Sequence, residues 1–293
     1  MTIDLSDWKK AGEIASQIRD FARKTVKVDV SLLEATNLIE QKILGLGGGI
    51  AFPVDLSINE MAAHYSAVLD DKTVFKDGNL IKVDIGVHIN GAIADTAVTI
   101  SLDSKKELID ATNKALSEAI KHVKTGIALF EIGEIINQKI TEDGFVPIRN
   151  LSGHGIERYK VHTSPTVPNF NNKDKTTLKE DQVIAIEPFA TDGIGLVIEG
   201  KPSFIFELIS KKPQRDMRLR KILDYIEKNY KTLPFSARWL AREFDKNNVL
   251  MLLNNLERQG VLHHYKQLPE KASGMVSQSE HTVIIADKPI VIT

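Results

Sequence analysis

Two aspartates, Asp84 and Asp95, stand eleven positions apart on either side of the dipeptide Asn90-Gly91. Asn-Gly between two apolar-rich runs is a strong signal for a two-residue β-hairpin, because both turn positions need a positive φ. Counting outward from this turn, Gly86 lies opposite Asp95, and Asp84 points to the same face as Gly86. The two carboxylates are therefore diagonal neighbours, with Cβ atoms about 7–8 Å apart or less. A pair of divalent metal ions, about 3.5–4 Å apart in two-metal sites, would fit between them.

The same segment is compatible with an exposed hairpin that carries two unrelated acids. Aspartate is depleted in strands. Two aspartates on one face, beside glycine and alanine, therefore favour a common functional site. A β-bulge in either strand would change the geometry and weaken this interpretation.

Three further residues with metal-binding side chains stand in unusual surroundings. His154 lies between Gly153 and Gly155, which let the backbone bring an imidazole close to a partner, although an ordinary loop histidine is the alternative. Glu187 ends a nearly continuous apolar run, where a buried carboxylate is costly unless a cation or hydrogen-bond donors meet it. Glu280 opens another apolar strand, and there a solvated acid at the strand edge fits the pattern equally well.

Together these residues form an oxygen-rich set of two aspartates, two glutamates and one histidine. Four carboxylates leave two divalent cations near neutrality, and such a set suits Mn, Fe, Co or Zn rather than a structural zinc, which favours cysteine. A two-metal site activates water as a nucleophile at neutral pH and polarises a carbonyl group. The residues by themselves therefore predict hydrolysis of a peptide or similar bond.

The composition limits the class of protein. The chain has 293 residues, a formal net charge of −1 and no cysteine. Its length allows one large domain with an appendage, or two modest domains. The lack of cysteine excludes a disulfide scaffold, thiolate metal sites and cysteine nucleophiles. Residues 1–8 do not resemble a signal peptide, and no run approaches the about 18 apolar residues of a membrane span. We expect a globular protein that is soluble and cytoplasmic.

Hydrophobic periodicity predicts long helices over residues 6–24, 31–44, 105–124 and 131–142. A capping box at Ser57 and Glu60 predicts a short helix that ends near His64. Apolar, strand-like stretches follow at 181–190, 195–198 and 279–285.

Residues 32–43 and 129–140 resemble each other, because leucine, glutamate, isoleucine and a Gln-Lys-Ile triplet recur at one fixed offset. Helix-forming residues often coincide, so this pattern alone is a weak sign of internal duplication. A real duplication would give two similar α+β halves with pseudo-twofold symmetry. Binding sites often form at the seam between such halves.

A basic segment runs from Lys211 to Lys266. It contains 13 Lys or Arg and 6 Asp or Glu, a net charge of +7 that leaves about −8 for the remainder. Helices are predicted at 234–244 and 248–258 and a strand at 261–266, an arrangement that resembles a small winged-helix module. A solvated helical face is the simplest explanation of the charge. The alternative is a surface that steers the protein toward ribosomal RNA through helices centred on Arg218 and Arg238.

The whole pattern resembles the methionine aminopeptidases, which have the pita-bread fold shared with prolidase and aminopeptidase P. The matching motifs are Asp84, Asp95, Gly153-His154-Gly155-Ile156, Ile186-Glu187-Pro188 and Glu280. The resemblance implies an α+β, pita-bread catalytic domain of two pseudo-symmetric halves over residues 1–205 and 270–293. Residues 206–269 would form the helical, winged-helix-like insertion of the type 2 enzymes, in their short archaeal form.

The resemblance also implies a metal centre with two divalent ions, and its ligand set accepts Co, Mn, Fe, Zn or Ni. Asp84 and Asp95 would each bind, Glu280 would bridge, and His154 and Glu187 would complete the shell of one ion. Glu187 is further expected to accept a proton and deliver it to the departing amine.

The implied catalytic residues are Glu187, His64 and His162, the two histidines donating hydrogen bonds to the substrate and the developing oxyanion. The residues implied to line the methionine pocket are Phe52, His64, Val161, His162, Phe189 and Tyr265. Without the resemblance, Phe52 and Phe189 would be interpreted as ordinary core.

The implied activity is removal of the N-terminal methionine from nascent polypeptides with a small second residue, by a monomer that contacts no membrane. A prolidase would carry a large domain before the first ligand, whereas about eighty residues precede Asp84 here. A non-catalytic homologue that binds ribosomes or nucleic acid, or a metal-free creatinase-like member, would have lost ligands. The remaining histidines are interpreted as structural or solvated, and His281 is expected to face away from Glu280: His88, His122, His263, His264 and His281.

Overall fold

The computed structural model describes residues 4–103 and 106–293. Its helices are α1 (Ser6–Thr25), α2 (Leu32–Gly45), α3 (Glu107–His122), α4 (Leu129–Glu142), α5 (Met217–Asn229), α6 (Ala237–Leu240) and α7 (Lys246–Arg258). Its strands are β1 (Gly49–Ile50), β2 (Asp55–Ile58), β3 (Met61–Ala63), β4 (Leu80–Ile89), β5 (Ala92–Ser101), β6 (Val146–Pro147), β7 (Ser152–Glu157), β8 (Lys160–Pro168), β9 (Val183–Ile186), β10 (Phe189–Thr191), β11 (Pro202–Leu208), β12 (Phe235–Ser236), β13 (Leu262–Lys266), β14 (Leu268–Pro269), β15 (Val276–Gln278), β16 (His281–Ile284) and β17 (Ile290–Val291).

The first half of the fold is built on the predicted hairpin. Strands β4 and β5 pair without a bulge, and their register places Gly86 opposite Asp95. Asn90 and Gly91 form the turn with φ of 49° and 85°, as a two-residue hairpin requires. Strands β1 and β2 pair with β4, and α1 and α2 bury their apolar faces against this sheet. The predicted hairpin and its register are confirmed.

The second half contains a five-stranded sheet in the order β17-β16-β9-β7-β8. Helices α3 and α4 cover it, and their apolar faces share one core with residues of β8, β9 and β16. A smaller sheet, in the order β15-β10-β6, lies beside it. Each half is therefore a sheet backed by a helix pair, which is the α+β organisation expected.

The two halves repeat local structure as well as composition. Leu32 and Leu129 open α2 and α4, and each donates its backbone N–H to the carbonyl of a threonine far along the chain. Asp29 and Gly126 stand three residues before these helices, and both have a positive φ, of 68° and 86°. The equivalent positions share one sequence offset, which agrees with two similar halves, while the internal duplication suggested by residues 32–43 and 129–140 stays a prediction.

The basic segment folds around its own apolar core. Strands β12, β11 and β13 form a three-stranded sheet, and α5, α6 and α7 pack against it through residues such as Phe206, Ile222 and Leu253. Strand β11 begins at Pro202 and therefore crosses the expected boundary between residues 205 and 206. The division into a catalytic domain and an insertion remains a proposal, and its first boundary falls within a strand.

Arg238 joins this segment to the first half. Its side chain is 2% exposed, and its guanidinium donates to Glu40 at 2.6 Å and to Asn37 at 2.9 Å. Trp239 Nε1 donates to the other oxygen of Glu40 at 3.0 Å. The expectation that the helix around Arg238 offers this residue to a partner is wrong, because its charge is buried and paired inside the molecule.

The short helix predicted between Ser57 and His64 is also wrong. This segment forms β2 and β3, joined by a turn in which Asn59 has a φ of 53°. The Asn59 side chain accepts the Leu80 N–H at 2.9 Å, and the Asn59 carbonyl accepts the buried ammonium of Lys82 at 2.6 Å. Both contacts come from β4. The capping-box pattern of Ser57 and Glu60 therefore did not produce a helix, because pairing with β4 determines the conformation of this segment.

Other predicted elements are shifted or interrupted. The stretch 181–190 forms β9 and β10, broken between them, and the stretch 195–198 makes only a single bridge, from Val197 to Glu270. The helix predicted over 234–244 shrinks to α6. Two expected boundaries lie outside the described residues. They are the start of the catalytic domain at Met1 and the start of the third predicted helix at Lys105. Within the described ranges, no helix has the length and apolar character needed to cross a bilayer.

Candidate metal centre

The hairpin of the first half supplies the two aspartates. Asp84 lies in β4 opposite Ala97, and Asp95 lies in β5 opposite Gly86, so both carboxylates share one face of the pair. Behind Asp95, the hydroxyl of Thr282 accepts the Asp95 N–H at 2.7 Å and donates to the Asp95 carbonyl at 2.8 Å. The ligand-bearing strand of the first half is therefore fixed by a side chain of the second half.

The second half supplies the other three residues. His154 lies in β7, where a Cβ on Gly153 or Gly155 would come within 2.2 Å of a backbone carbonyl of a neighbouring strand. The two glycines thus let the strands around His154 approach closely. Glu187 stands in the break between β9 and β10, and Glu280 immediately precedes β16 and donates its N–H to Ala97 at 3.1 Å. Breaks in regular pairing turn these side chains toward the hairpin.

The five side chains converge. Asp95, His154 and Glu280 are buried, and each offers a ligand atom within 4.8 Å of the others. His154 Nε2 lies 3.7 Å from Asp95 Oδ2 and 3.6 Å from Glu187 Oε1. Asp84 joins through the amide of Gln278, which donates to Asp84 at 3.0 Å and to Glu187 at 3.4 Å. The structure therefore brings together all five residues predicted as ligands.

Burial and crowding shift the ionisation of these groups. Burial raises the pKa of Asp84 to about 6, and it raises the pKa of Asp95 well above its usual range, with further contributions from the charges of Asp84 and Glu187. The pKa values of Glu187 and Glu280 rise for the same two reasons. Burial lowers the pKa of His154 to about 4, so its imidazole is neutral at pH 7. Metal ions bind neutral imidazole and ionised carboxylate, so a bound cation would lower the raised carboxyl pKa values and release protons.

The residues fit divalent cations. Among the described residues, buried carboxylate oxygens of Asp84, Asp95 and Glu280 have no hydrogen-bond partner. A buried, unpaired carboxylate oxygen is costly unless a cation or a donor meets it. Oxygen ligands with one imidazole suit Mn, Fe, Co or Zn. We conclude that this centre binds divalent metal.

A cavity of about 220 Å³ opens beside the centre. All the residues expected at the substrate line it: Phe52, His64, Val161, His162, Phe189 and Tyr265. Leu151, Ile205, Pro234 and Leu268 add apolar walls that the sequence analysis missed. Because β11 and the segment after α7 contribute to this wall, the insertion shapes the cavity.

His64 is held by two hydrogen bonds. It has a φ of 60°, and its N–H donates to Asp55 Oδ2 at 2.9 Å. Its Nδ1 lies 3.0 Å from the carbonyl of Lys266, and since a carbonyl oxygen only accepts, Nδ1 must carry the proton. Burial lowers the pKa of His64, which favours the neutral ring. Its Nε2 therefore offers a lone pair, which does not suit the donor role expected for it.

His162 lies against the metal centre. Its ring stands edge-on to the His154 ring, with 4.5 Å between centroids, and 6.3 Å from the ring of Tyr265. Burial of the ring lowers the pKa of His162 well below its usual value, and the neighbouring His154 adds to this shift. A neutral His162 still carries one N–H, so the donor role expected for it is chemically available.

Two buried residues of the site escaped the sequence analysis. Gln278 connects ligands of both halves, and nothing in a single glutamine before an apolar strand indicates this. Asp55 lies opposite Asp84 in the pairing of β2 with β4. The alternation of apolar and polar residues over 54–58 is a strand signal that would have placed Asp55 beside Asp84, had the capping-box pattern not been preferred.

The histidines expected outside the site make other contacts. His281 lies 2.8 Å from the Thr293 hydroxyl and 3.3 Å from Arg19, and neither partner lines the cavity. His264 stacks on Phe206 in the core of the insertion, with 4.1 Å between ring centroids. His263 is the exception in position, because its ring stands 4.6 Å from Tyr265 near the cavity.

Comparison with known proteins assigns the family. Residues 6–238 match metallopeptidase family M24. The chain is 44% identical over 293 residues to a methionine aminopeptidase of Pyrococcus horikoshii, and the match covers 99% of both chains. Solved structures of similar fold include a thermophilic Arx1, with a TM-score of 0.88, 16% identity and coverage of 100% of this chain and 91% of that one. Another is a methionine aminopeptidase from Thermotoga maritima, with a TM-score of 0.72, 21% identity and coverage of 100% and 98%. At such identities the structural likeness shows the pita-bread fold alone. The sequence matches and the metal centre together establish that the chain belongs to the methionine aminopeptidases of metallopeptidase family M24.

Proposed function

We propose that the protein hydrolyses the first peptide bond of nascent proteins and peptides and releases their N-terminal methionine, with a preference for a small second residue. One observation carries the proposal: five side chains of types that can ligate metal, from both halves, converge beside a cavity with apolar and aromatic walls. The full-length similarity to archaeal methionine aminopeptidases supports the choice of methionine over other residues.

The centre holds two divalent ions in this proposal. Asp84, Asp95, His154, Glu187 and Glu280 would hold them. Two ions of charge +2 would balance four ionised carboxylates and so offset both the burial and the repulsion between charges that oppose their ionisation. Co, Mn, Fe, Zn and Ni all accept this ligand set.

The methionine side chain occupies the apolar part of the cavity. Phe52, Val161 and Phe189 form its walls, and Tyr265 lies at its edge, where Glu207 accepts a hydrogen bond from the tyrosine hydroxyl at 2.5 Å. A thioether packs well against aromatic edges, with a gain of about 0.3–1.5 kcal/mol for each such contact.

When bound, a pair of divalent ions supplies an activated water and an electrophile for the scissile carbonyl. Glu187, which lines the cavity, accepts a proton from the attacking water and later delivers it to the departing amine. His162 donates a hydrogen bond to the developing oxyanion, a contribution worth about 10²–10³ in kcat. His64, whose Nε2 carries a lone pair, accepts an N–H of the substrate backbone instead of donating.

A substrate panel tests the proposal. Methionine release from Met-Ala-Ser should be fast, release from a peptide with arginine second should be much slower, and a prolidase substrate such as Ala-Pro should not be cleaved. Rapid hydrolysis of Ala-Pro without release of methionine would contradict the proposal and favour the prolidase branch of the fold.

The basic insertion offers a second proposal, about partners. Five exposed basic residues lie around the start of α5, and we call them together the α5 basic surface: Lys211, Lys212, Arg215, Arg218 and Arg220. Lys211 also pairs with Glu227 and Arg218 with Asp216. We infer that this surface guides the protein to ribosomal RNA in the cytoplasm, where nascent chains emerge, and that the protein works as a monomer. Arg238 has no part in this surface, since it is buried against Glu40.

A further inference from the structure

Asp55 is a fifth carboxylate of the cavity and belongs to none of the ligand positions described above. It lies in β2, is 6% exposed, and lines the cavity together with Asp84 and Asp95. Direct cross-strand partners such as Asp55 and Asp84 have Cβ atoms about 4.5–5.5 Å apart. Two carboxylates this close repel each other unless a cation or a proton lies between them.

The two oxygens of Asp55 have different surroundings. Oδ2 accepts the backbone N–H of His64 at 2.9 Å, which helps to hold His64 at its positive φ. Oδ1 is buried and has no hydrogen-bond partner among the described residues. The same holds for one oxygen each of Asp84, Asp95 and Glu280. An unpaired oxygen in this position is therefore a feature that Asp55 shares with the ligands.

The electrostatic surroundings agree with this geometry. The charge of Asp84 adds to burial in raising the pKa of Asp55, and the charge of Asp55 contributes to the raised pKa of Asp95. Both effects agree with the position of Asp55 opposite Asp84 and in the same cavity lining as Asp95.

We propose that Asp55 is an additional oxygen donor of the metal centre, with Oδ1 facing the metal and Oδ2 holding His64. This inference rests on the proposed function, in so far as the centre must bind metal. It makes Asp55 a residue with two roles, because the same carboxyl group connects the metal centre to a substrate-side histidine.

A simpler arrangement makes the opposite prediction. If Asp55 were a neutral acid that donates a hydrogen bond to Asp84, asparagine would supply both that donor and the acceptor for the His64 N–H. Asp55→Asn would then leave metal binding unchanged. The same substitution removes a metal-ligating oxygen and its charge if Oδ1 faces the metal, while it still preserves the contact to His64.

The test compares wild type, Asp55→Asn and the control Asp143→Asn, which makes the same change at an exposed carboxylate paired with Lys114. Co²⁺ affinity is measured by titration calorimetry, the visible absorption of the Co²⁺ form reports its coordination, and thermal unfolding of the metal-free proteins reports the fold. We expect Asp55→Asn to unfold like wild type without metal, to bind Co²⁺ at least about tenfold more weakly, the loss expected even for outer-shell partners, and to show an altered Co²⁺ spectrum. Asp143→Asn should match wild type throughout.

Unchanged affinity in Asp55→Asn would overturn the proposal, and so would weaker binding with an unchanged Co²⁺ spectrum, since the effect would then be one of distant charge. If Asp55→Asn loses its fold without metal, Asp55→Ser provides the same comparison, because serine keeps an oxygen that can accept the His64 N–H. Failure of wild type to bind Co²⁺ would instead contradict the proposed function, so the two failures are distinguishable.

Discussion

Thr282 and Asp95 are bonded twice across the seam of the two halves. The Thr282 hydroxyl accepts the Asp95 N–H and donates to the Asp95 carbonyl, at 2.7 and 2.8 Å. Both residues are at most 2% exposed. One hydroxyl therefore takes the place of backbone pairing here, and it fixes Asp95, a predicted metal ligand, to the half that provides His154 and Glu280.

Thr282→Val should weaken metal binding without touching a ligand. Valine has nearly the shape of threonine but leaves the Asp95 N–H and carbonyl buried without partners, at a cost of about 1–3 kcal/mol for each group. We expect a lower free energy of unfolding and a several-fold loss of Co²⁺ affinity, measured by denaturant titration and calorimetry. Thr282→Ser keeps the hydroxyl and should retain most of the affinity. Equal metal affinity in the valine and serine variants would show that this contact does not position Asp95.

Glu40→Ala should be strongly destabilising. It leaves the Arg238 guanidinium and the Trp239 N–H buried without their main acceptor, and breaking one side of a buried ion pair costs about 3–5 kcal/mol. Asp143→Ala breaks the exposed pair with Lys114 and should cost about 0–1 kcal/mol. Free energies of unfolding from denaturant titration give the comparison. If both variants lower the free energy of unfolding by similar, small amounts, the pair of Glu40 and Arg238 does not hold the insertion to the first half.

Elements that depend on neighbouring residues could be predicted from the sequence, whereas elements held by contacts from another strand could not. The register of β4 and β5 was predictable, since a two-residue turn and the period of a strand fix it locally. The β2–β3 turn was not, because Lys82 and Leu80 of a distant strand hold Asn59 there. Asp55 was missed as a consequence.

The charge of a residue in the sequence also does not show whether its side chain faces solvent or the interior. Arg238 and the residues of the α5 basic surface look alike in the sequence, yet Arg238 is buried because Glu40, nearly two hundred positions earlier, faces it. Gln278 escaped for a related reason, as its amide connects Asp84 and Glu187, two residues that meet only in the folded chain. The five predicted ligands could be selected from the sequence because their residue types and neighbours carry the chemistry, and the structure places them together.

The metal-free protein should depend on pH through Asp84. Its pKa is raised in the folded state to about 6, so its contribution to stability is present below the unfolded value, near about 3.9, and is lost as pH rises through about 6. Asp84→Asn removes this loss. In chelator, the stability of the variant relative to wild type should therefore rise between about pH 4 and pH 6 and stay constant above that range.

Divalent metal should reverse the sign of that comparison. With saturating Co²⁺ at pH 7, ionised Asp84 is stabilised by the cation, so Asp84→Asn should unfold at a lower temperature than wild type. A difference between the two proteins that is independent of both pH and metal would show that Asp84 is not part of a titrating metal centre.

Reversing the charges of the α5 basic surface should weaken ribosome binding. Steering by exposed charge falls as the Debye length shortens, from about 10 Å at 0.1 M salt to about 3 Å at 1 M. We expect cosedimentation of wild type with ribosomes at low salt, less at high salt, and little for the reversed variant at either. The matched control reverses five exposed lysines elsewhere: Lys10, Lys27, Lys76, Lys121 and Lys124. If binding responds to neither salt nor reversal, or equally to both sets of reversals, the α5 basic surface is not a docking site.

Methionine release from Met-Ala-Ser by protein stripped of metal, with divalent ions then restored singly, tests the central claim most directly. Wild type should be inactive after chelation and should regain activity with at least one of Co, Mn, Fe, Zn or Ni. His154→Ala, which loses the buried imidazole beside Asp95 and Glu187, should remain inactive under the same conditions. Full activity of the stripped wild type, or of His154→Ala in metal-replete buffer, would contradict the account.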